Sequence, residues 1–130
     1  MSKPMFGLEV RHKIDASHQL EDSEHLVTKQ CARLHGHTYG FRVKIEENNL
    51  NSAGMVVDFK AIKNIIDELD HRHINDVFKE QGIEKQPTAE NIAQYIYLRI
   101  LAELGLVSEV WVAEGYRGEE WSSWAIYTEE

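Results

Sequence analysis

The segment His37 to Glu46 alternates along its length. Tyr39, Phe41, Val43 and Ile45 share one parity, while Thr38, Arg42, Lys44 and Glu46 share the other. A side-chain period of two marks a strand with one buried and one polar face. It commits the chain to a sheet that must be covered on one side. Met5 to His18 repeats the pattern, with Phe6, Leu8, Val10, His12 and Ile14 at every second position. Phe6, Val10 and Ile14 are expected to face inward, and Glu9, Arg11 and Lys13 outward. His12 falls on the inward parity, which is an inconsistency for a polar ring.

Other segments read differently. Glu21 to Gln30 is polar and aperiodic, a loop, and Asn48 to Gly54 supplies turn residues. Asp58 can cap a helix that places Phe59, Ile62, Ile65, Ile66 and Leu69 at helical spacing. Thr88, after Pro87, can cap a second helix with a stripe of Ala89, Ile92, Ala93, Ile96, Tyr97, Ile100, Leu101 and Leu104, stopped by Gly105. Glu109 to Glu114 and Trp121 to Tyr127 read as two closing strands, joined by a turn at Tyr116 to Gly118. The order strand, strand, helix, helix, strand, strand predicts an α+β architecture. A four-stranded antiparallel sheet would carry two helices on one face. Open sheet edges favour pairing with other copies, hence a homo-oligomer.

The chain has 130 residues, the size of one domain, 1–130. A formal net charge of −8 argues against nucleic acid and anionic membrane as partners. It leaves room for an anionic substrate at a local basic cluster. The single cysteine forms no intrachain disulfide and suits a reducing compartment. No stretch approaches the roughly 20 apolar residues of a membrane span, and the first residues lack an apolar run. A cytoplasmic location is expected.

The densest chemical signal is Cys31-Ala32-Arg33-Leu34-His35-Gly36-His37. On a strand His35 and His37 point to one face, with Cα atoms roughly 6.5–7 Å apart, close enough to share an ion. His18 ends the preceding strand and can lie across from them. Three imidazoles with an open fourth position describe a catalytic zinc site rather than a closed structural one. The bland alternative is a pair of surface or hydrogen-bonded histidines. Cys31 is either a small buried apolar residue or a thiolate able to act as base or nucleophile. Asp70-His71 is either a proton-relaying pair or a polar helix end. Such neighbours need a turn to cooperate. Glu114 continues the Val110 and Val112 face. It either reaches water at the strand end or pairs with an amidine-like edge carrying two N–H donors.

Together these pieces resemble the 6-pyruvoyl- and 6-carboxytetrahydropterin synthase family. The matching motifs are Ala16-Ser17-His18, Cys31 to His37, Val57-Asp58-Phe59, Leu69-Asp70-His71 with Ile74-Asn75-Asp76, Pro87-Thr88-Ala89-Glu90-Asn91, and Glu114. The resemblance covers nearly the whole chain. It implies the tunnelling fold, in which ββααββ subunits join edge to edge into a barrel, usually a homohexamer of two trimers with the active site between subunits. It implies zinc on His18, His35 and His37, and Cys31 as the proton-transferring base, assisted by Asp70 and His71 of a neighbouring subunit. It implies a pterin anchored by Glu114, with Thr88 and Glu90 beside it. The implied substrate is 7,8-dihydroneopterin triphosphate, with Arg33, Arg42, Lys44 and Arg72 as candidate cations for the triphosphate.

Members making the 6-carboxy product, in deazaguanine (queuosine) synthesis, typically have three residues between the cysteine and the first histidine, as here. They release acetaldehyde and triphosphate. The pyruvoyl branch typically has more, and other members replace the cysteine with glutamate. The chain departs from the family at Gln19, where many members carry arginine, and at Ile14, often aromatic. Trp121-Ser122-Ser123-Trp124 maps to no motif. The expected function is thus a 6-carboxytetrahydropterin synthase-type lyase. The competing expectations are a pyruvoyl-forming lyase and a non-catalytic zinc-containing pterin-binding module.

Overall fold

The computed structural model describes residues 2–115 and 123–130. Two long strands, β1 (Phe6–His18) and β2 (His35–Glu47), lead into α1 (Phe59–Ile66), α2 (Ile74–Glu80) and α3 (Ala89–Leu104). Two short strands, β3 (Glu109–Ala113) and β4 (Ala125–Thr128), close the chain. The four strands pair antiparallel, in the order β1-β2-β3-β4. The expected turn at Tyr116 to Gly118, with Trp121 and Ser122, lies outside the described residues. Among the described residues no helix is long and apolar enough to cross a membrane.

The alternation in β2 becomes the centre of the core. Tyr39, Phe41, Val43 and Ile45 are all buried. The register sets Val10 against Val43, Ile14 against Tyr39, Val43 against Val110 and Phe41 against Val112, so the apolar residues of three strands share one face. Ile62 and Ile66 of α1, Phe78 of α2, and Ile92, Ile96 and Ile100 of α3 fill the same cluster. His12 keeps its inward parity because its Nε2 meets Asp67 Oδ1 at 2.7 Å, a polar partner supplied just after α1.

Several expectations are corrected. A third helix, α2, stands where none was expected. Its Ile74, Val77 and Phe78 are buried at i, i+3 and i+4, a stripe too short to separate from the Asp-His-Arg-His cluster before it. α1 stops at Ile66, and a 3₁₀ turn carries the chain to Leu69. The loop after β1 ends in another 3₁₀ turn, Lys29–Ala32, capped by the Thr28 side chain. Phe6, Phe59 and Leu101 have the right spacing for the core but are exposed. Phe6 begins β1, Phe59 opens α1, and Leu101 is in the last turn of α3, at the ends of their elements. The two helix caps agree with expectation: Asp58 accepts from Lys60 N–H and Thr88 from Asn91 N–H. Gly105 ends α3 with φ of 79°, a left-handed conformation that favours glycine.

The opposite sheet face is charged and aromatic. Arg42 Nε donates to Glu9 at 2.7 Å, and its guanidinium lies 4.4 Å from the Trp111 ring centre. Lys44 pairs with Glu109 at 3.2 Å. At the far end of β1 the outer edge is covered: His71 N–H donates to Asp15 C=O, and Ser17 N–H to Arg72 C=O.

Packing therefore divides one predicted stripe. Ile62→Ala should destabilise by about 2–5 kcal/mol. Phe59→Ala, on the same helix, should stay within about 0.5 kcal/mol. Urea unfolding of the two variants measures both.

Candidate metal centre

The last rung of the β1–β2 ladder pairs His18 with His35, and His37 pairs with Ala16 two rungs in. All three imidazoles thus project from the core face at the end of the sheet. Their ring centres are 4.5–5.0 Å apart. One nitrogen from each lies within 4.8 Å of the other two. His18 is buried, and His35 and His37 are half-buried.

Hydrogen bonds fix how two of the rings are protonated. His18 Nδ1 contacts the Pro87 carbonyl at 2.8 Å and His35 Nδ1 the Arg33 carbonyl at 2.6 Å. A carbonyl only accepts, so each Nδ1 carries a proton and each ring turns its Nε2 inward. These two Nε2 atoms are 2.9 Å apart. At that separation the two nitrogens need a proton or a metal ion between them. Two imidazole nitrogens on one tetrahedral zinc are roughly 3.3 Å apart, given about 2.0–2.1 Å to the ion. His37 Nε2 is buried and has no hydrogen-bond partner among the described residues. Burial first, then the adjacent His18 and His35 rings, pushes His37 down to about 4. Burial likewise lowers His18. Three imidazoles with converging nitrogens fit a metal ion of the borderline class that nitrogen ligands bind.

Glu114 follows β3 and stands beside this centre. Its Oε2 is 3.8 Å from His18 Nε2 and 3.9 Å from His37 Nε2. Burial raises its carboxyl, and Glu90 adds to the effect. Both acids line a groove of about 420 Å³ with Ala89, Val112, Trp124 and Ala125. Thr88 spends its hydroxyl on capping α3. Tyr39, packed edge-on against His18 and His37, has a buried hydroxyl with no partner among the described residues.

Cys31 lies half-buried in the 3₁₀ turn before β2. Its carbonyl accepts from Leu20 N–H at 3.0 Å, which ties the turn to the chain just after His18. Asp70 and His71 are in contact: Asp70 Oδ1 and His71 Nδ1 are 3.0 Å apart, in a turn where His71 adopts φ of 58°. The Asp15 N–H bond, more than His71, holds Asp70 below the usual carboxylate range. The pair lines a groove with Lys13, Asp15 and Thr38. Asp15 and Thr38 are register partners of the parity opposite to Ala16 and His37. Within one chain, Asp70 and His71 therefore do not converge on the histidine triad.

The candidate cations are not gathered either. Arg42 and Lys44 occupy the open sheet face with Glu9 and Glu109, and Arg72 pairs with Glu80 at 2.9 Å. Sequence reasoning missed the Pro87 and Arg33 carbonyls that orient the ligands, because a backbone acceptor leaves no mark on residue identity. It also missed Tyr39 as a neighbour of the centre, since its parity already marked it as core.

Proton linkage gives a test on metal-free protein. An unfolded His37 binds its proton near pH 6.5, and the folded one only near 4. The unfolded state takes up the proton first, so acidification from 6.5 to 4 should progressively destabilise the fold. His37→Asn should flatten that part of the stability–pH profile, measured by urea unfolding at stepped pH.

Comparison with known proteins identifies the family. Residues 7–130 match the family described as 6-pyruvoyl tetrahydropterin synthase. A 6-carboxy-5,6,7,8-tetrahydropterin synthase of Aquifex aeolicus is 34% identical over 125 residues, 78% of this chain and 77% of that protein. A dihydroneopterin monophosphate aldolase of Pyrococcus furiosus is 35% identical over 98 residues, 72% of this chain and 74% of that protein. The Caenorhabditis elegans 6-pyruvoyl tetrahydropterin synthase structure superposes with a TM-score of 0.70 at 23% identity, covering 100% of both chains. That likeness establishes the tunnelling fold. With the family match extending over nearly all of the sequence, the chain belongs to the 6-pyruvoyl tetrahydropterin synthase family.

Proposed function

We propose that this protein is a zinc-dependent carbon–carbon lyase. It converts 7,8-dihydroneopterin triphosphate and water to 6-carboxy-5,6,7,8-tetrahydropterin, acetaldehyde and triphosphate. The observation that carries the proposal is the triad of His18, His35 and His37, two of its rings locked with Nε2 inward, beside the raised carboxyl of Glu114. The resemblance of the chain to proteins named for this product supports the choice of reaction.

Zinc held by the three imidazoles supplies a Lewis acid at the substrate side chain. Glu114 offers two carboxylate oxygens to the 2-amino group and a ring N–H of the pterin. That pairing offsets the cost of its burial. Glu90 lies in the same groove, and Thr88 holds the start of α3 beside it. Cys31 moves the proton at a side-chain carbon. Asp70 accepts from His71 Nδ1–H, leaving Nε2 as the proton-exchanging nitrogen. This pair faces away from its own triad, so it serves the centre of an adjacent subunit in a homohexamer. The products balance with one water. The carbon next to the ring ends as the carboxyl, the ring gains two hydrogens, and the remaining two side-chain carbons leave as acetaldehyde.

A second reading keeps the site and changes the bond broken. Similarity to an aldolase acting on a dihydroneopterin monophosphate makes cleavage without ring reduction the competing outcome. Cys31, at the position where other members of the family carry glutamate, favours the synthase reading. The cytoplasm, as a reducing compartment, keeps this thiol free.

Zinc-loaded protein incubated with 7,8-dihydroneopterin triphosphate should yield 6-carboxytetrahydropterin by mass and acetaldehyde by enzymatic assay. A pyruvoyl or hydroxymethyl pterin would reassign the reaction. Cys31→Ala should lower turnover by about 10²–10⁴-fold while zinc stoichiometry stays at the wild-type value. Unchanged turnover in that variant would remove Cys31 from the chemistry.

A further inference from the structure

Asn75 lies in the first turn of α2, and its side-chain amide spans the backbone of Gln19, the residue after His18. Gln19 N–H donates to Asn75 Oδ1 at 2.9 Å, and Asn75 Nδ2 donates to the Gln19 carbonyl at 2.8 Å. A primary amide holds its donor and acceptor in one plane. The side chain therefore gives Gln19 the two hydrogen bonds that a neighbouring strand would give. The ladder to β2 ends at His18 paired with His35, so no strand holds Gln19.

The clamp extends pairing that begins two residues earlier. Ser17 bridges His73 in parallel, its N–H donates to Arg72 C=O at 3.1 Å, and its Oγ lies 2.9 Å from His73 Nδ1. Gln19 then passes the restraint onward. Its Nε2 donates to the Ala32 carbonyl at 2.9 Å, and the next residue, Leu20, donates to the Cys31 carbonyl at 3.0 Å. The amide on α2 thus holds the residue after His18, and that residue and Leu20 hold the turn that carries Cys31.

We infer that Asn75 is a positioning residue for the metal centre. It fixes the exit of β1 so that His18 presents Nε2 to the other two histidines, and through Gln19 it sets the Cys31 turn against the same centre. The inference rests on the metal-binding reading of the triad. Ligand orientation by groups outside the coordination sphere commonly accounts for a large part of metal affinity.

The test uses metal-free full-length protein and needs no substrate. Zinc dissociation constants are measured by chelator competition for wild type, Asn75→Ala, Asn75→Asp and Asp58→Ala, and Cys31 alkylation by iodoacetamide is followed in parallel. Asn75→Ala should bind zinc about tenfold more weakly and alkylate faster. Asn75→Asp keeps the acceptor for Gln19 N–H and loses the donor, so it should fall between. Asp58→Ala weakens a helix cap elsewhere and should bind zinc and alkylate like wild type. Wild-type affinity in both Asn75 variants overturns the inference, as does equal weakening in Asp58→Ala. If Asn75→Ala does not fold, Asn75→Asp decides. An unchanged alkylation rate overturns the link to Cys31. Wild-type protein that binds no zinc overturns the inference outright. Zinc binding with the expected variant order but no turnover supports it and removes only the lyase reading.

Discussion

Thirteen residues of β1 lie against thirteen of β2, and the ladder closes on His18 opposite His35. Everything at the candidate centre depends on that register. A slip of one residue would turn Val10 and Ile14 out of the core and carry His18 to the opposite face. The core and the metal site are thus set by one hydrogen-bonding pattern. The packing of Tyr39, Phe41, Val43 and Ile45 against the helices holds it in place. Hydrophobic burial along the sheet is in effect what aligns the histidines at its end.

The triad concentrates groups that compete for protons. Two Nε2 atoms 2.9 Å apart, a buried His37 Nε2 with no hydrogen-bond partner among the described residues and a carboxylate within 4 Å form a cluster that a bound cation would relieve. The surrounding bonds make this arrangement hard to escape. The Pro87 and Arg33 carbonyls hold two rings in the tautomer that faces inward. Pro87 directly precedes the cap of α3, so the start of that helix also fixes a ligand. The packing of α3 and the orientation of the triad are thus coupled through the same backbone atoms.

The segment between α1 and α2 has two roles. It covers the outer edge of β1 through Asp15 and Ser17, leaving less of that strand open to unwanted pairing. It also holds Asp70 and His71 in a turn on the side of the sheet away from the triad. A chain with the Asp70–His71 pair on one face and the histidine triad on the other can bring the two together only by assembly with copies of itself. That is the physical content of the proposed shared active site.

Much of this was legible in advance because it follows from periodicity. The alternation in β2, the caps at Asp58 and Thr88, the left-handed stop at Gly105 and the three histidines are local patterns that residue identity alone reveals. The short helix Ile74–Glu80 was not, because its apolar stripe is brief and follows a polar cluster with its own plausible reading. The exposure of Phe59 and Leu101 was not, because spacing places a residue on a helix face without saying whether that end of the helix has a neighbour. The sequence by itself determined which residues could pair, cap and ligate, since those properties belong to side chains and their spacing. Only the tertiary structure decided that Pro87 and Arg33 orient the ligands, that Asn75 clamps Gln19 and that Asp70–His71 faces away. These depend on backbone atoms and on contacts between residues up to 69 positions apart.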